Sequence, residues 1–129
     1  MASFTKTQCN GRRTLYDWFP GNPSLAMESM DRHIRANMVN PDNFVRAVVC
    51  DNGTVNNNQE DPKNYALKFY SKDEKEAYWI SGLTAGPRGP GSYGMIQALV
   101  LMGFEVNGDK DIYTLPNGKR MVFTKKTKK

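Results

Sequence analysis

Histidine occurs once in the 129 residues and cysteine twice. Any Ser-His-Asp or Cys-His device would have to be built on His33 alone. It stands in a helical pattern between Arg32 and Arg35, where a helix-surface or half-buried histidine is expected. Cys9 and Cys50 belong to no CxxC or Cys/His cluster, so no zinc-site spacing exists and no metal is expected. Such sparse cysteine use suits a reducing, intracellular or cytoplasmic setting. The longest apolar run, around Met95 to Met102, falls far short of the roughly 20 residues of a membrane span. Met1-Ala2-Ser3-Phe4-Thr5-Lys6 has no apolar core, so no secretory signal is expected. No internal repeat, low-complexity segment or complete catalytic motif appears. The sequence therefore calls for no cofactor and reads as a non-enzymatic protein.

What is present suits one folded domain. Apolar residues make up 39% and charged residues 24%, values of a chain with a core. The length fits a single domain that needs no disulfide staple. The net charge of +5 is unevenly placed. All 13 acids precede residue 119 and face 12 basic residues there. Lys119, Arg120, Lys125, Lys126, Lys128 and Lys129 follow with no acid, so a near-neutral body carries a cationic end. Residues 1–124 are expected to form the domain and 125–129 a loose basic tail.

The elements follow from pattern. The first twenty residues show no clear periodicity, but Leu15, Tyr16, Trp18 and Phe19 should pack in part onto the body. Asn22-Pro23 offers an N-cap and a proline at the first helical position. Met27, Met30, Ile34 and Met38 then recur at helical spacing. Asn40-Pro41 marks the end, which predicts a helix over 23–39. Its methionine stripe should face the core, or a partner if uncovered. Phe44 to Cys50 is β-branched and apolar on both faces, as in a strand near a sheet centre. Asp51-Asn52-Gly53 signals a turn, and a second, antiparallel strand is expected from Tyr65 to Tyr70. Residues 72–83 are open between a helix, signalled by Ser71-x-x-Glu74, and a strand, favoured by Ala77-Tyr78-Trp79-Ile80. Ser92 should cap a buried helix that stops at Gly103. Asp111 to Leu115 and Lys119 to Thr124, around Pro116-Asn117-Gly118, predict a C-terminal β-hairpin. The expected fold is α+β: one domain with a mainly antiparallel sheet of three to five strands, two helices packed on it, and that hairpin.

Two segments bear on function. Lys119, Arg120, Lys125, Lys126, Lys128 and Lys129 suit phosphates, because each cation near a nucleic-acid backbone releases a counterion. Tyr113, Met121 and Phe123 could add stacking or apolar contacts. The leading expectation is a small binding protein that engages nucleic acid or an acidic protein surface through these six residues. A viral or phage-type accessory protein docking on a host or virion protein is a further reading. Adjacent carboxylates such as Glu60-Asp61 and Asp73-Glu74 point in different directions and read as solvated surface.

The second segment is Gly86-Pro87-Arg88-Gly89-Pro90-Gly91-Ser92-Tyr93-Gly94. A glycine-rich turn before a helix presents backbone N–H groups and the positive end of the helix dipole to an anion. Arg88-x-x-Gly91 resembles the acyl-CoA pyrophosphate loop of the GCN5-related N-acetyltransferases, although Tyr93 stands where that pattern has Gly or Ala. The resemblance implies an acyltransferase-like protein, with Arg88, Gly89, Gly91 and Ser92 cradling acetyl-CoA. The helix ending in Gly103-Phe104 before a hairpin also resembles the end of HicA-type RNA-targeting toxins. Their hairpin carries a histidine, and this one has none.

Overall fold

Asn22 starts the first helix as its spacing predicts. Its side chain accepts a hydrogen bond from the Leu25 amide at 3.2 Å, and Pro23 occupies the first helical position. These contacts belong to a computed structural model that describes residues 3–9, 12–19, 22–50, 58, 61, 64–83, 90–106, 112 and 120–125. Helix α1 spans Pro23–Arg35 and α2 spans Pro90–Leu101. Both close with the same device. Asn37 takes a left-handed φ of 61°, and the amides of Asn37 and Met38 donate to the carbonyls of Ile34 and His33. Gly103, at φ 89°, and Phe104 donate likewise to Val100 and Leu99. A left-handed residue just past the helix satisfies two terminal carbonyls at once. Gly103 is therefore the stop that the sequence indicates. Asn37 ends α1 four residues before the expected boundary, so Met38 lies outside the helix. Proline at the first position also starts α2 at Pro90, ahead of Ser92.

Among the described residues six strands form one sheet. They are β1 (Ser3–Cys9), β2 (Arg12–Trp18), β3 (Phe44–Cys50), β4 (Leu67–Ser71), β5 (Glu76–Ile80) and β6 (Arg120–Thr124). Their order across the sheet is β1-β2-β5-β4-β3-β6. Every neighbouring pair is antiparallel except β2–β5. Among the described residues the result is an α+β, mainly antiparallel arrangement packed with α1 and α2. The hairpin β1–β2, built from a stretch that showed no periodicity, carries the strand number beyond the three to five expected. Residues 76–80 settle as strand. Ser71 does form a cap, but of a hairpin: its hydroxyl accepts from the Glu76 amide at 3.0 Å. Glu74 takes a left-handed φ of 60° at that turn. Of the predicted C-terminal hairpin, β6 is present and pairs with β3. Ile112, the one described residue of its expected first strand, is helical instead, and residues 111 and 113–119 lie outside the described residues, as do 51–57.

Strand alternation divides the sheet into two faces. Leu15, Ala47, Val49, Leu67, Phe69, Tyr78 and Ile80 meet Ala26 and Met30 of α1 and Met95, Ala98, Leu99 and Met102 of α2 in the main core. Buried Ile112 joins them. A bulge between Phe44 and Arg46 lets Phe44 and Ala47 both point into this core, since one extra residue shifts the alternation. The other face holds an aromatic cluster of Tyr16, Trp18, Tyr65 and Trp79. Tyr16 meets the edge of Trp79 at 5.4 Å between ring centroids, a favoured aromatic geometry.

Candidate functional site

Three cations share the face opposite the helices. Arg46 and Lys68 lie on β3 and β4, and Arg120 is placed there by its register opposite Cys50. Arg46 is occupied: its guanidinium pairs with Glu74 at 2.9 Å and sits over the Tyr70 ring at 5.0 Å. The Lys68 ammonium lies over Trp79 at 5.1 Å. Burial holds Lys68 below the usual lysine range, and Arg120 pushes it the same way, against the opposing pull of Cys50 and Asp61. Arg120 is exposed on β6, the last strand in the order, and pairs with no carboxylate among the described residues. Beside it Val122 is 54% exposed.

Lys125 differs from the other sequence-predicted cations. Its backbone amide donates to the Val45 carbonyl at 2.9 Å, which extends the pairing of β6 onto β3. Its ammonium donates to the Pro41 carbonyl at 2.8 Å and lies 4.9 Å from the centre of the Phe104 ring. Partial burial lowers its pKa. The domain thus includes Lys125, whose charge is directed at its own chain. Lys119, Lys126, Lys128 and Lys129 lie outside the described residues, as does Tyr113.

The glycine-rich segment is described only from Pro90 onward, so Arg88 and Gly89 lie outside it. Gly91 and Ser92 belong to the first turn of α2, and Ser92 is 1% exposed. Among the described residues no group of three His, Cys, Asp or Glu could hold a metal, and no helix is long and apolar enough to cross a membrane.

His33 is more buried than its pattern suggests. It belongs to a polar knot between α1, β2 and β5 around Asp17, which is fully buried. Ser29 Oγ donates to Asp17 Oδ1 at 2.9 Å, and the Tyr78 hydroxyl donates to Oδ2. His33 Nδ1 lies 3.3 Å from Oδ2 and 3.2 Å from Ser29 Oγ. Burial raises the Asp17 pKa above its ordinary value, and Tyr78, His33 and Ser29 pull it back. This is not a catalytic triad. A triad needs the carboxylate on one ring nitrogen and the serine on the other. Here both converge on Nδ1, and the serine donates its proton to the aspartate. The knot joins helix to sheet. The one sequence sign of it was an acid inside the apolar run Leu15-Tyr16-Asp17-Trp18-Phe19.

A cleft that the sequence did not signal lies on the helix side, past the end of α1. Its volume is about 400 Å³, within the range of small-ligand pockets. Leu15, Val39 and Phe44 form its apolar floor, and Met38, 48% exposed, stands at its edge. Asn37, Asn40 and Asn43 add amides, although Asn40 already accepts from the Asp42 amide. Arg13 and Glu76 supply one charge of each sign. Set against protein-family models, curated proteins and solved structures, the chain matches none.

Proposed function

We propose that this protein is a non-enzymatic binder of nucleic acid, which it holds by the phosphate backbone along β6 and across the same face of the sheet to Lys68 on β4. The observation that carries this reading is exposed Arg120, which has no carboxylate partner among the described residues, near Lys68 on the same face of the sheet. Two like charges are held near one another, and an anion between them relieves their repulsion. Lys119 precedes Arg120 in the chain, and Lys126, Lys128 and Lys129 follow β6 closely. A phosphate backbone suits such a row because its charges repeat along a line.

The test is affinity for single-stranded oligonucleotides as a function of salt. Six phosphate contacts on a single strand imply roughly a 300-fold loss of affinity between 50 and 200 mM salt. Replacing Lys126, Lys128 and Lys129 with glutamine should reduce the slope of log K against log salt by about 2. Arg120→Gln should reduce it by about 0.7. Lys125→Ala should leave the slope unchanged and lower stability by about 1 kcal/mol, because its ammonium serves Pro41 and Phe104. A salt-independent affinity overturns the reading. Tighter binding to an acidic peptide than to the oligonucleotide replaces it with an acidic protein surface, such as one an accessory protein would dock on.

A second reading is favoured by the order of β5, a glycine-rich segment and α2, which an acyl-CoA loop requires. Acetyl-CoA would then meet the backbone of the first turn of α2, with Arg88 and Gly89 before it. Ser92, being buried, drops out of the donor set. A rise in melting temperature with millimolar acetyl-CoA supports this reading, and no rise removes it.

A further inference from the structure

Arg13 and Glu76 are cross-strand neighbours in the parallel pair β2–β5. Both line the cleft past the end of α1. Arg13 is exposed and Glu76 half-buried, yet among the described residues neither side chain has an ion-pair partner, including the other. Opposite charges this close normally join, since one direct pair satisfies both. Here a guanidinium and a carboxylate stand apart at the mouth of a pocket whose floor is Leu15 and Phe44, with Met38 at its edge. This cleft lies on the helix side of the sheet, away from the basic face, and its binding chemistry is independent of that face.

We propose that the cleft binds a small zwitterion of the amino-acid type with an apolar side chain. Its carboxylate takes the Arg13 guanidinium, whose forked donors match a carboxylate. Its ammonium takes Glu76. The apolar side chain covers Leu15 and Phe44, and Met38 adjusts to its shape. The balance of charge sets the class: a simple anion leaves Glu76 unpaired, and a simple cation leaves Arg13 unpaired. A zwitterion joins both charges through one molecule. The negative end of α1, which reaches the cleft at Asn37 and Met38, favours the ammonium further. A free amino acid and a dipeptide share this chemistry.

The test is calorimetric titration of the full chain with leucine, methionine, phenylalanine, leucinamide, N-acetyl-leucine, glycine and Leu-Leu. Leucine is expected to bind, with leucinamide and N-acetyl-leucine weaker by about tenfold or more, because each lacks one charge-assisted contact. Glycine should bind more weakly for want of the apolar contact. Arg13→Gln should weaken leucine by about tenfold and leave leucinamide unchanged, and Glu76→Gln should weaken leucine and spare N-acetyl-leucine. Unchanged melting temperatures of the two variants show that they fold. Leu-Leu binding tighter than leucine upholds the zwitterion and identifies short peptides as its source, and weaker binding identifies the free amino acid. The proposal is overturned if leucine, methionine and phenylalanine all fail to bind at millimolar concentration. It is also overturned if the blocked ligands bind as well as leucine, or if each variant weakens all ligands alike.

Discussion

Asp17→Ala is expected to lower the stability of the protein by about 3–5 kcal/mol, the range found when one partner is removed from a buried charged network. The carboxylate accepts from Tyr78 and Ser29 and faces His33. Without it, the Tyr78 hydroxyl is left buried with its principal acceptor gone, and an unsatisfied buried polar group costs about 1–3 kcal/mol. Ser29 and His33 still have each other. Equilibrium denaturation measures the loss. Adding Tyr78→Phe to Asp17→Ala should then cost less than Tyr78→Phe does alone, since its acceptor has already gone. Full additivity of the two would show that the knot is not a unit.

The same carboxyl gives a pH dependence whose sign follows from its burial. Its pKa in the folded protein lies above the ordinary 3.8. The folded state therefore keeps this proton to higher pH than the unfolded chain does. Its contribution is full below the unfolded pKa and is lost as pH rises through the folded one. Asp17→Asn removes that loss, so stability relative to the parent should shift in the variant's favour as pH rises from about 4. Tyr78 acts at the other end. Burial, with Asp17 beside it, holds its hydroxyl well above the ordinary 10.0. The unfolded chain ionises first, so stability should fall as pH rises past about 10, and Tyr78→Phe should flatten that fall. Denaturation midpoints across pH check both.

Local signals carried much of the fold and little of the site. The start of α1 was legible because Asn22-Pro23 and the methionine spacing agree. Its end was not, because asparagine at a left-handed position is a weaker sign than the Asn40-Pro41 pair that follows. Strand β3 was legible as a β-branched run with apolar residues on both faces, although its outer face is only half-buried. Burial of both faces hid β2: Leu15 and Asp17 face the helices while Tyr16 and Trp18 face the aromatic cluster. Alternation of apolar and polar residues is lost when both faces are covered. Asn10-Gly11 between Ser3–Cys9 and Arg12–Trp18 was the signal that could have revealed the hairpin.

The site residues were harder for a different reason. The charge surplus at one end of the chain points to Arg120, but Lys68 joins it only through strand pairing between β3 and its two neighbours. Arg13 and Glu76 become neighbours only through the one parallel pair in the sheet, which no spacing in the sequence announces. Lys125 shows the reverse. Composition groups it with the other lysines, and its backbone bond to Val45 separates it from them.

Gly82→Ala is expected to destabilise the protein by about 3 kcal/mol or more, from backbone strain and overpacking together. Gly82 has a φ of 90°, and a Cβ there would lie 2.4 Å from the Phe19 carbonyl oxygen and 3.2 Å from that of Asn22. Neither oxygen can move freely. The Ser81 hydroxyl accepts from the Phe19 amide at 2.6 Å, and the Ser81 amide donates to the Asp17 carbonyl at 2.9 Å. Asn22 caps α1 and its carbonyl accepts from the Ala26 amide. The methyl group must therefore displace the joined ends of β2 and β5 or the start of α1. Gly103→Ala separates the two causes. Its φ is nearly the same, at 89°, but its Cβ would meet only the end of the Lys125 side chain, at 3.2 Å. Left-handed strain alone then costs about 1–2 kcal/mol. Thermal denaturation should show Gly82→Ala well below Gly103→Ala, and the difference measures the carbonyl clash. Equal losses would mean that the backbone around Phe19 and Asn22 yields to the added methyl, and that the junction of β2, β5 and α1 is not rigid.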